Sequence, residues 1–157
     1  MEQIRKWQQQ ANMARYMLLG TVIVTVINLV LLFAQSDFYI VYSSAVAYYL
    51  GWFGWLFDGG IPGTMTAIGL ALAAFVLACY MIVWFFAKNS ITWLKVGLVM
   101  VAVDALALVV LIFLLDAGFM NFFWELALHG AVIYEMIMGI SARQKLSAFP
   151  LQEIVTE

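Results

Sequence analysis

Four stretches of this chain, beginning near Tyr16, Pro62, Leu94 and Asn121, are almost unbroken runs of apolar residues. Each is about as long as the roughly 20 residues a helix needs to cross the hydrocarbon core of a bilayer. The pattern predicts spanning helices over 16–34, 62–87, 94–115 and 121–140. Ahead of the first, in MEQIRKWQQQANMAR, Ile4, Trp7, Ala11 and Ala14 recur at helical spacing opposite polar positions. That spacing predicts a short interfacial helix over 1–15. The apolar run after Arg15 is longer than a signal-peptide core and reads as an uncleaved anchor. After the fourth span, residues 141–157 form a short polar tail broken by Pro150.

A fifth apolar stretch, FYIVYSSAVAYYLGWFGWLF over 38–57, is long enough to span, and the basic residues decide against it. Arg5, Lys6 and Arg15 precede the first span, Lys88 and Lys95 flank the turn between the second and third, and Arg143 and Lys145 follow the fourth. With four spans all seven fall on one side, which the positive-inside rule makes cytoplasmic, together with both termini. Asp37, Asp58 and Asp116 fall on the other. Residues 38–57 then form an external, lateral or re-entrant element. Its Tyr42, Tyr48, Tyr49, Trp52 and Trp55 suit the headgroup level, and Gly51, Gly54, Gly59, Gly60 and Pro62 break the chain before the second span. The fold class is all-α: a polytopic membrane protein of four transmembrane helices in one bundle.

Composition supports this class and removes others. Hydrophobic residues make up 66% and charged residues 10% of the chain, far from the mix of a soluble domain. The one cysteine, Cys79, allows neither a disulfide nor a cysteine-rich metal site within a single chain. No nucleotide-binding, hydrolase or zinc-protease motif occurs. The partner is the lipid bilayer, and no nucleic-acid partner is expected.

The polar residues inside the spans are the candidates for chemistry. Thr21, Thr25 and Asn28 share one face of the first span, with Gln35 continuing it, and that face should point into the bundle. In the second, Ala67, Ala71, Ala74 and Ala78 suggest a close-packing stripe. Asp104 lies one heptad after Gly97 in the third span. The fourth carries Glu125, His129 and Glu135. Counting at about 1.5 Å per residue puts Asp104, His129 and Asn28 near the midplane, with Glu125 toward the outer side and Glu135 toward the inner. A charged side chain facing lipid there costs about 3 kcal/mol on insertion scales, so these groups belong inside. Glu125, only five residues into its helix, is close enough to the interface to snorkel.

No lysine or arginine lies within the spans, so even a charged His129 leaves acid in excess. Protons held on the carboxylates, or an admitted cation, would balance it. Cation- or proton-linked transport or ligand binding at Asp104, His129, Glu135, Glu125 and Asn28 is the leading reading. A transport path would need a homo-oligomer or a larger membrane complex. A non-catalytic module for a partner or lipophilic ligand, with the polar groups acting as interhelical glue, stands second. A metal-dependent enzyme stands third, with His129, Asp104 and Glu135 as acceptable zinc or iron donors.

The segment TVINLVLLFAQSDFYIVYSSAVAYYL, a first span running into a Ser-Asp turn and an aromatic stretch, resembles small uncharacterised four-span integral membrane proteins of Gram-positive bacteria. The resemblance covers the first third of the chain and implies a helical bundle in a bacterial plasma membrane. It implies no activity and no functional residue.

The charge pattern predicts that a cysteine placed at Asn89 is labelled by a membrane-impermeant reagent only from the cytoplasmic side. Labelling from outside would overturn the four-span topology.

Overall fold

The computed structural model describes residues 1–115 and 119–148. Among them lie five helices and no strand: α1 (Glu2–Phe33), α2 (Ala45–Phe57), α3 (Thr64–Phe86), α4 (Ile91–Leu114) and α5 (Phe119–Ala148). Four of these, α1, α3, α4 and α5, are long and apolar enough to cross a membrane. At 13 residues, or about 20 Å, α2 is too short. Asp116 and residues 149–157 lie outside the described residues.

Segment 1–15 is not set apart as an interfacial helix of its own; it runs into the first span without a break. No glycine or proline interrupts it before Gly20, and Lys6 pairs with Glu2 one turn away at 2.9 Å. The other end of the chain behaves alike, since α5 continues eight residues past the expected end at Ile140. The two extensions support each other. Ala11 and Ala14 are buried, a side chain at Gly139 would collide with Ala14, and the Lys145 ammonium lies 5.8 Å from the Trp7 ring. The two antiparallel helices pack along much of their length.

Basic side chains close the end of α3. The Arg15 Nε donates to the Trp84 carbonyl at 2.9 Å with its guanidinium 4.5 Å from the Trp84 ring, and Arg143 donates to the Lys88 carbonyl. Both carbonyls belong to the helix terminus or the turn after it, where cations are favoured. At the opposite end Asp58 caps α3, its Oδ2 accepting from the Thr66 N–H at 2.6 Å and the Thr66 hydroxyl at 2.8 Å. These bonds hold the Asp58 carboxyl below the usual carboxylate range.

The inner face of α3 differs from the expected alanine stripe. Ala67, Ala71, Ala74 and Ala78 are exposed, and the buried positions are Thr66, Gly69, Ala73, Leu77, Tyr80 and Val83. The cause is α2, which lies antiparallel against the first half of α3. A Cβ at Gly69 would meet the Leu50 carbonyl, and one at Gly54 the Met65 carbonyl. Only bare backbone lets the two helices approach so closely. Gln35 likewise leaves the expected polar face of α1: the helix ends at Phe33, and Gln35 turns the chain with φ 51°.

Two apolar layers sandwich the middle of the bundle. Toward the basic end, Leu18, Tyr80, Val83, Leu94, Val101 and Met136 form the main core. Gly97 admits Leu18 and Met136 into the α4 surface. Toward the other end, Leu108 and Ile112 of α4 pack with Ala45, Tyr49, Phe122 and Leu126. The polar residues lie between these layers.

The α2–α3 contact predicts that Gly69→Ala lowers stability by about 1–3 kcal/mol through overpacking. Gly20→Ala, whose new methyl meets nothing within 4 Å, should be neutral or stabilising by about 0.5–1 kcal/mol through helix propensity. Thermal unfolding in detergent compares the two, and equal midpoints would refute the close approach.

Candidate functional site

The segment after α1 turns back into the bundle. Asn28 binds it first: the side-chain amide donates to the Ile40 carbonyl at 2.9 Å and accepts from the Ile40 N–H at 3.0 Å, as a neighbouring strand would. The Tyr42 and Thr21 hydroxyls are 2.7 Å apart, and the Ser44 N–H donates to the Thr25 hydroxyl at 2.7 Å. Thr21 and Thr25 also donate back to the carbonyls of Met17 and Thr21, one turn earlier. The polar face of α1 thus replaces water for a length of irregular backbone, the condition under which such backbone survives at membrane depth. Residues 40–44 therefore pack against α1 inside the bundle. Tyr42, expected at the headgroups, instead reaches inward, its ring centroid 5.2 Å from that of His129.

Helix α2 starts at Asp104. The Ala45 N–H donates to Asp104 Oδ2 at 2.9 Å, the Val46 N–H to Oδ1 at 2.9 Å and the Ser44 hydroxyl to Oδ1 at 3.0 Å. Ser44 also caps the helix by accepting from the Ala47 N–H at 3.3 Å. The first amides of α2, which no helix can satisfy from within, thus all have partners. Asp104 is only 1% exposed. Three donors and the positive end of a helix surround its carboxylate.

His129, also 1% exposed, faces Asp104 from α5 with Nε2 3.3 Å from Oδ2. Its Nδ1 lies 2.8 Å from the Glu125 carbonyl, which can only accept, so Nδ1 carries a proton. The Nε2 contact shares one further proton between Asp104 and the imidazole. The pair is held by the donors of α2 on the Asp104 side and by the Glu125 carbonyl on the His129 side.

Glu125 does not snorkel. It is 4% exposed, and its Oε1 accepts from the Tyr39 hydroxyl at 2.8 Å and from Ser43 at 3.5 Å. One helical turn separates it from His129, so α5 presents both side chains to the network from one face. Glu135 does not join them: it is half-buried, and no hydrogen bond or ion pair connects it to the network. The acidic column through the bundle is therefore not assembled. Nor is a metal centre, since among the described residues no three His, Cys, Asp or Glu converge on a common point, and the set His129, Asp104 and Glu135 is split.

Sequence reasoning missed Tyr39, Ser43 and Ser44. They line the same network from the segment between α1 and α2, and the Ser-Ser pair just before an apolar helical run was a capping signal that could have located the start of α2.

A cleft of about 420 Å³ lies above the network, at the end away from the basic residues. Asn28, Leu32, Gln35, Ser36, Phe38, Tyr39, Tyr48, Trp55 and Gly60 line it. Tyr39 thus contributes to the cleft wall and donates to Glu125. An aromatic ladder runs on along α2, with ring centroids 5.2 Å apart for Tyr39 and Tyr48, 5.4 Å for Tyr48 and Tyr49 and 5.9 Å for Tyr49 and Trp52.

No family model matches the chain, and no curated protein or solved structure is similar to it.

The network makes unequal demands on its acids. Asp104→Ala, which removes the partner of the buried His129 ring and uncaps α2, should cost about 3 kcal/mol or more. Glu135→Gln should change stability by no more than about 0.5 kcal/mol. Reversible unfolding in detergent measures both, and equal losses would restore the column.

Proposed function

We propose that this chain is a ligand-binding module of a bacterial plasma membrane, with both termini cytoplasmic, that admits a small amphiphilic molecule from the outer side into the cleft between α1, the re-entrant segment and α2. The observation that carries this reading is Tyr39. One side chain belongs to the cleft wall and to the buried acid network, so a molecule in the cleft acts on the groups that fix the start of α2. The cleft has the size and the mixed aromatic and neutral-polar lining of small-molecule sites.

Binding is favoured over transport by what lies beneath. Between His129 and the basic end the bundle is filled by Leu18, Val101 and Met136, all at most 1% exposed, and Glu135 offers no polar step through them. A site open on one side and closed by packed side chains on the other holds a ligand without conducting it.

The test uses a cysteine at Ser36, on the cleft wall, in a Cys79→Ala background. The reading predicts that at least one of three small amphiphiles, cationic, anionic and uncharged, slows maleimide labelling saturably in nanodiscs. The protection should vanish when Leu32→Trp fills the cleft. No protection by any of the three, together with proton flux in liposomes that Asp104→Asn abolishes, would replace binding with transport.

A further inference from the structure

We infer that the cleft selects a small organic cation of the quaternary ammonium class. The inference rests on the ligand-binding reading above and gives that site its chemistry.

Four aromatic residues, Phe38, Tyr39, Tyr48 and Trp55, share the cleft wall. Aromatic walls attract cations through the negative faces of their rings, and most strongly those such as quaternary ammonium that need no hydrogen-bond acceptor and shed water easily. The polar atoms beside them come from Asn28, Gln35 and Ser36, all uncharged. A carboxylate ligand would find no cationic partner here. All seven lysines and arginines lie at the other end of the bundle, where Arg15 and Arg143 are engaged by the end of α3.

The charge near the cleft is acidic. Asp37 stands in sequence between the lining residues Ser36 and Phe38, and Asp58 lies two residues before Gly60. Beneath the wall, Tyr39 spends its one proton on Glu125 at 2.8 Å. Its oxygen in turn accepts from the Ser43 hydroxyl 2.9 Å away, so the phenol meets the cleft with the face and edge of its ring. Asp104 is met by His129 and the first turn of α2, whereas the buried Glu125 side chain is bonded to the hydroxyls of Tyr39 and Ser43. A cation in the cleft, one phenol away, would favour the ionised form of Glu125, which a neutral or anionic molecule of the same shape would not.

The matched probes are choline and neohexanol, which differ only in quaternary nitrogen against quaternary carbon. Protection of the Ser36→Cys, Cys79→Ala protein from maleimide is titrated with each in phosphatidylglycerol nanodiscs. Choline should protect with at least about tenfold higher affinity, a difference within the reach of a few cation–π contacts. In Glu125→Gln, and in Tyr39→Phe should the first variant fail to fold, the choline advantage should fall severalfold while neohexanol is unchanged. Repeating the titration in phosphatidylcholine assigns the source: weakened protection by added choline marks a lipid headgroup as the occupant, and unchanged protection marks a free solute, the ammonium class holding in both. Equal protection by the two probes in the phosphatidylglycerol discs would overturn cation selectivity while leaving a ligand site. If neither probe protects and labelling equals that of the Leu32→Trp protein, cation selectivity and the ligand-binding reading fall together.

Discussion

A carboxylate in the middle of the bundle holds the amino end of a helix that does not cross the membrane, and the other features of this protein depend on that contact. A bare aspartate at this depth would be costly, and so would a helix start whose amides have no acceptor. Joined, the two remove each other's penalty: Ala45, Val46 and Ser44 supply three donors to Asp104, and His129 supplies a fourth contact from α5. The pairing also links α2, α4 and α5 at one level.

Once α2 is anchored there, the rest of the half away from the basic residues follows from packing. The short helix must rise between α1 and α3, and the glycines at 54 and 69 give it room. Wedged in this way, it holds the second half of α1 away from α3, with Ala47, Leu29, Ala73 and Leu77 filling the seam. The chain entering α2 has to descend beside α1, where Asn28, Thr25 and Thr21 meet its backbone and side chains. Between that descending segment and the rising helix a cleft remains, with Tyr39 at once in its wall and bonded to Glu125. The half nearer the basic residues, by contrast, is an ordinary apolar bundle with Arg15 and Arg143 closing its end.

Much of this was legible in the residue pattern. Spanning helices declare themselves through length and hydropathy, and the basic residues excluded a fifth span for 38–57. Asp104 and His129 could be set at one depth by counting residues, because helical rise is constant. Less could be read where direction matters more than depth. The alanines at 67, 71, 74 and 78 looked like an interface, yet the inner face of α3 is set by Gly69 and Ala73 meeting α2, a partner invisible to a one-helix pattern. The excess of acid seemed to call for protons or a cation; Asp104 instead meets His129 and the amide end of a helix, and the second of these no count of side chains records. Glu125 looked near enough to the surface to snorkel because the aromatic segment that covers it is remote in sequence.

The central claim is that Asp104 anchors the first turn of α2, and hydrogen exchange at the Ala45 and Val46 amides in nanodiscs measures it most directly. The account predicts that both amides exchange as slowly as the interior of α4 in the parent. In Asp104→Ala they should exchange at least about 100-fold faster, while the amides of α1 below Thr21 keep their protection. Rapid exchange at these two amides in the parent, or protection that survives removal of the carboxylate, would contradict it.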